Sequence, residues 1–231
     1  MKKIFCLMLI LLASLSVSAQ EKTIDKLEFD AIYKGSTEKW KGKQHRLTVI
    51  NQSRVEGRPQ TDYSSKAVFE FGLDNTARSL LESTYQSVTS KSEAIRIGGK
   101  NYSRKGNEKW QEAALVANAK FDNSSEPKNS RTGTDNLNES QVEYKYLGTE
   151  ILNNQTATVY TVIENKKGIN SKTGKESVSS TITKYWVGKD GIILKSDRIN
   201  EGRNGEMIFH FRSTMAWESD SNIKIEAPSL N

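Results

Sequence analysis

Beyond residue 20, apolar and polar side chains mostly alternate, and this period-two pattern constrains the fold more than any motif in the chain. Alternation places apolar residues on one face of an extended strand and polar residues on the other. Leu27, Phe29, Ala31 and Tyr33 fit one such face. Leu47 and Val49 fit another, and Ala67, Phe69 and Phe71 a third. Ile95 and Ile97 lead through Gly98-Gly99 to Tyr102, which reads as a strand, a two-residue turn and a strand. Val142, Tyr144 and Tyr146 precede a turn at Asn153-Asn154, because asparagine tolerates positive φ. Residues 156–164 return as a strand dense in β-branched side chains. Residues 178–187 turn at 188–191 into a strand over 192–199, and a turn around Arg203-Asn204-Gly205 leads to Met207, Phe209 and Phe211. A last strand is expected over 222–226, before Pro228. The pattern gives about nine to eleven strands. Short turns join most of them, so the sheet is expected to be an antiparallel meander.

A single sheet of that size must curl or expose a wide apolar face. The expected fold class is therefore all-β to α+β, a large curled antiparallel half-barrel. One or two short helices or loops would plug its concave side. The Ala-rich stretch 110–120 is the best helix candidate. Residues 122–140, rich in Asn, Ser and Gly, read as a long loop, and 166–175 as a second exposed one. Residues 77–87 admit helix or strand, and their neighbours favour a strand. No repeat of 20–50 residues is evident.

Residues 1–19 differ from all of this. Lys2 and Lys3 precede an apolar run over residues 4–12, and Val17, Ser18 and Ala19 close it with small residues. That is the secretory signal pattern, with cleavage expected before Gln20. The run is shorter than the roughly 20 residues of a membrane span. Cys6 sits at the start of the run, not after it where a lipidated cysteine belongs, and it leaves with the signal. The mature chain, residues 20–231, is expected to be one cysteine-free domain, exported to the periplasm and not lipidated. Its formal charge falls from +6 to +4 with the loss of Lys2 and Lys3.

Four segments resemble one family. They are IGGKNYSRKGNEKW (97–110), EYKYLGTEILNNQTATVYTV (143–162), TKYWVGKDGIILKSD (183–197) and NIKIEAP (222–228). In this order they resemble the LolA/LolB-like superfamily of exported bacterial lipoprotein carriers, with the LppX/LprG-type lipid carriers included. The resemblance covers roughly residues 90–228 and is strongest at YWVGKDGIILKS and the EAP ending. It implies an apolar-lined half-barrel lidded by helices, holding lipid or lipoprotein acyl chains. The chain departs from the pattern at its start, where 27–33 read as a strand and the LolA branch carries an amphipathic helix. It also has no lipobox, and no lone protruding apolar loop residue is evident.

Catalytic signatures are missing. There is no GxSxG elbow, P-loop or GxGxxG, and no EF-hand spacing. One cysteine excludes a disulfide framework and a Cys-based zinc site. No cofactor, metal or enzymatic role is expected. His45 and His210 read as surface or rim histidines, with His210 pointing away from the face of Phe209 and Phe211. Charges of both signs interleave, which disfavours nucleic acid as a partner. Lys39, Lys41 and Lys43 recur at spacing two around Trp40. On a strand they would form a positive row, either a site for lipid headgroups or an acidic envelope partner, or a solvated edge that blocks aggregation. Tyr144, Tyr146, Tyr160, Trp186, Phe209 and Phe211 fall on strands expected to be neighbours. Together they are the candidate lining for an apolar ligand with a polar head; packed solidly, the same aromatics would make a filled core. Two functions follow, a soluble non-enzymatic carrier of lipid or acyl chains, and a structural or interaction module of the envelope.

Overall fold

In a computed structural model, described for residues 21–113, 135–170 and 173–230, twelve strands form one open antiparallel sheet. Residues 1–19, where a signal is expected, residues 114–120 and most of the 122–140 stretch lie outside the described residues.

The chain builds two meanders. The first runs through β2 (His45–Val55), β3 (Tyr63–Phe71), β4 (Ala77–Tyr85), β5 (Val88–Ile97), β6 (Lys100–Lys105) and β7 (Gln111–Ala113). The second runs through β8 (Asp135–Leu152), β9 (Gln155–Asn170), β10 (Glu176–Val187), β11 (Ile193–Asn204) and β12 (Met207–Ser219). Pairing of β12 with β2, Met215 opposite Val49, fuses them into one sheet. The short β1 (Lys22–Thr23) adds to the free edge of β8.

Three hairpins turn in two residues with both φ positive: Gly98-Gly99, Asn153-Asn154 and Gln86-Ser87. This geometry matches the twist of the strands and favours Gly and Asn. Gln86 and Ser87, at φ 50° and 62°, hold it against their preference. Replacing the pair with Asn-Gly is expected to stabilise the protein by about 1 kcal/mol. A urea midpoint that fails to rise would show that other contacts set this turn.

Four expectations need correction. Residues 27–33 are not a strand. They open α1 (Lys26–Trp40), the one α-helix among the described residues. Asp25 caps it, its carboxylate accepting the Glu28 N–H at 2.7 Å, and Gly42 follows its end at φ 72°. Phe29, Tyr33, Ser36 and Trp40 recur at helical spacing, and Phe29, Ser36 and Trp40 are buried. Next, residues 111–113 of the expected helix form strand β7. The expected loops are also shorter. Strand β8 already covers 135–140, and β9 and β10 extend to Asn170 and Glu176. Finally, 222–226 is irregular. Lacking a strand partner, it is held instead by Gln44 Nε2, which donates to the Ile223 carbonyl at 2.7 Å, with Ile223 buried.

Helix α1 lies on one face of the sheet at three contacts. Phe29 meets Tyr144 and Tyr185 at ring-centroid distances of 5.4 and 5.2 Å. Ser36 Oγ accepts the Ile193 N–H at 2.8 Å. Trp40 packs on His45 at 4.7 Å, and His45 stacks on Phe71 at 4.5 Å. Weak helix formers such as Gly35 and Thr37 sit inside α1, so these tertiary contacts carry most of its stability.

Candidate functional site

Between the first half of α1 and the sheet lies a cavity of about 410 Å³. Ligand pockets commonly span roughly 300–1,000 Å³. Its composition changes along the strands. At the helix end it is lined by Phe29, Tyr33, Tyr144, Tyr185, Met215 and Trp217. Further along β10 and β11 the lining becomes Thr181, Thr183 and Arg198, with Ser213 from β12, while Ser196 stands level with Tyr185 and Met215. Residues on one face of a strand advance ~7 Å per two-residue step. From Tyr185 to Thr181 the cavity therefore passes from aromatic to hydroxyl over about 13 Å.

The sheet register decides which aromatics reach this face. Tyr146 pairs with Tyr160, and Tyr160 with Tyr185, a tyrosine ladder across β8, β9 and β10. The Tyr146 and Tyr160 rings lie 5.9 Å apart, and burial pushes the Tyr160 phenol above its ordinary value. Tyr144 stands in the cavity itself, beside this ladder. Trp186 follows Tyr185 and so projects from the opposite face. There it packs on Ala157 and Val159, and its Nε1–H donates to Glu150 at 2.7 Å. The ammonium groups of Lys184 and Lys195 lie 4.8 and 4.7 Å from its ring. Phe209 and Phe211 sit toward the far end of β12, outside the cavity lining. Phe209 crosses Gly202, where any Cβ would fall 2.6 Å from the Val178 carbonyl oxygen. The six aromatics proposed from sequence thus divide into a tyrosine group on the helix face, a tryptophan on the other face and a distant phenylalanine pair.

The positive row is not formed either. Lys39 is in the last turn of α1, and its ammonium donates to the Asp190 carbonyl. Lys41 caps the helix and pairs with Glu38 at 2.5 Å. Lys43 lies in the turn that follows. The helix takes these residues off any common strand face.

A larger open groove of about 1100 Å³ lies at the far end of β11, β12 and β2–β4, lined by Gln52, Arg54, Glu201, His210, Phe211 and Arg212. Its charges are largely matched. Arg212 donates twice to Asp197, and His210 bonds Glu56 at 3.0 Å and Glu201 at 3.2 Å.

The two histidines have opposite environments. His45 is buried, not at the surface as its sequence setting suggested, and burial lowers its pKa. His210 is raised above 6.5, first by its hydrogen bond to Glu56 and then by that to Glu201. An NMR titration is expected to show His45 titrating below 6.5 and His210 above it. The His210 contribution to stability is complete below the unfolded-state value and is lost as pH rises through its raised folded value. Coincident titrations near 6.5 would remove this picture.

Fold and cavity together define a class of protein: one open antiparallel sheet that carries an amphipathic helix and keeps a ligand-sized cavity beneath it. No protein-family model matches the sequence, and no curated protein matches it. Among solved structures, the chain is similar to a DUF1329 family protein from Desulfovibrio piger, at 12% identity and a TM-score of 0.26, over 86% of this chain and 94% of that one. It is similar to a LolA superfamily protein from Nitrosomonas europaea, at 9% identity and a TM-score of 0.27, over 82% and 90%. It is also similar to a protein described as an outer membrane lipoprotein-sorting domain from Vibrio parahaemolyticus, at 8% identity and a TM-score of 0.30, over 84% and 92%.

Proposed function

We propose that this chain is an exported, soluble, non-enzymatic carrier that holds an acyl chain or lipid between α1 and the sheet. The observation that carries this reading is the cavity. Aromatic and apolar side chains converge there from α1, β8, β10 and β12, and they leave about 410 Å³ unfilled. A solidly packed interaction module would close that space, because protein interiors pack with few voids larger than a water molecule. Each methylene moved from water to the aromatic end contributes about 0.8 kcal/mol. The secretory pattern of residues 1–19 and the resemblance of 90–228 to exported carriers agree with this role. Among the described residues, no helix is long and apolar enough to cross a membrane.

Native mass spectrometry of gently purified protein, with displacement of a fluorescent fatty acid in solution, tests the proposal. A co-purifying lipid and saturable displacement are expected. Protein that carries no lipid and shows no affinity for the probe ends this reading.

A further inference from the structure

The polar end of the cavity is an unfinished hydrogen-bond network. Arg198 is half-buried, and its Nε is shielded from solvent with no partner among the described residues. Ser213 is buried opposite it on β12 and Thr181 is buried diagonally across on β10, while the buried Ser196 lies one step back beside Tyr185. Their hydroxyls bond no described residue and, unlike Arg198 Nε, are not shielded from solvent. Buried polar groups are nearly always satisfied, and leaving one unpaired is costly. Nothing in the lining offsets the charge. Glu164 is taken by Lys166 at 2.8 Å, and Asp30 by Lys26 at 2.6 Å. The unpaired acceptor on this face, Asn200 Oδ1, is shielded, lies one step further along β11 and is not bonded to Arg198.

This end of the cavity therefore holds a half-buried cation and two open hydroxyls, each able to donate, and lacks a counter-charge. Charge-assisted bonds from a guanidinium to a carboxylate or phosphate are the strongest of this kind, and they form in pairs because the two groups match in shape. We propose that Arg198, with Thr181 and Ser213, is an anion-recognition subsite for the acidic head of a single-chain amphiphile. The chain of that amphiphile lies against Phe29, Tyr144, Tyr185 and Trp217. This rests on the carrier reading and deepens it, adding that the cargo is anionic and enters with a fixed polarity.

Calorimetry with a matched series tests it: decanol, decanoate, decyl phosphate and inorganic phosphate, each against the wild type, Arg198→Met and Arg198→Lys. In the wild type, decanoate or decyl phosphate is expected to bind about tenfold tighter than decanol, or more. Arg198→Met is expected to bring the acids to within about twofold of decanol and to leave decanol unchanged, while Arg198→Lys keeps part of the preference. The relative affinities of the two acids identify the head as carboxylate or phosphate. Equal binding of acids and alcohol by the wild type overturns the subsite and leaves the carrier reading standing. Binding of inorganic phosphate alone, lost in Arg198→Met, supports an anion site and overturns the carrier reading. No binding of any compound overturns both. The wild-type series needs no variant, so a misfolded mutant cannot decide the outcome.

Discussion

Trp186→Ala is expected to lower the unfolding free energy by about 3–5 kcal/mol, the range for deleting a buried large aromatic. Its ring closes a small cluster with Ala157 and Val159, which are wholly buried, and Leu147 and Leu152 pack against that cluster. The substitution also strands a hydrogen bond. Glu150 is held below its ordinary carboxylate range first by its hydrogen bond to Lys184 and, against the cost of its burial, also by the Trp186 N–H. Trp186→Phe separates the two effects, keeping most of the apolar area and removing only the donor, at about 1 kcal/mol. Guanidinium unfolding measures both. Because Trp186 projects from the face opposite α1, decanoate affinity is expected to survive in the folded fraction of either variant. Loss of affinity with stability intact would return Trp186 to the ligand lining that its sequence context suggested.

The Tyr185-Trp186 pair shows where sequence reading stops. Adjacent aromatics on a strand must face opposite ways, and only the register says which one faces the helix. The two-residue turn at Asn153-Asn154 by itself sets Tyr146 opposite Thr161, and only a bulge between Tyr146 and Gly148 shifts the register by one and brings Tyr146 opposite Tyr160. The β9–β10 connection, residues 171–175, is longer and leaves register open by one residue. A slip of one residue exchanges Tyr185 for Trp186. The strands themselves were legible because their alternation and turn residues agree, as at Gly98-Gly99 and Gly188–Gly191. Helix α1 was not, because residues 27–33 satisfy a period of two as well as a helical stripe, and because Ser36 takes an apolar position in that stripe. The spacing Asp25-Lys-Leu-Glu28 was the available signal, an N-cap followed three residues later by glutamate. Arg198 carries no signal of its own in the sequence. Its role follows from which groups fail to pair once the strands are assembled.

Phe29→Ala is expected to cost about 2–4 kcal/mol and to weaken acyl binding at the same time. Deleting a buried phenylalanine costs about 3–5 kcal/mol where neighbours enclose it on all sides. Phe29 borders a cavity on one side, which places the effect toward the lower end. Its ring is the main contact of the first half of α1 with the sheet, within 5.4 Å of Tyr144 and 5.2 Å of Tyr185. The second half stays anchored by Ser36 on Ile193 and Trp40 on His45. The helix is thus expected to loosen at its start and remain seated at its end. Hydrogen exchange should show faster exchange of amides around residues 29–33 than around 36–40. Phe29→Leu keeps the apolar cover and is expected to recover most of both stability and affinity. A variant that loses stability but binds decanoate as tightly as wild type would mean that the helix closes the fold without forming the wall of the site. Such a result would move the acyl chain off the aromatic end while leaving the hydroxyls around Arg198 as the remaining determinant of binding.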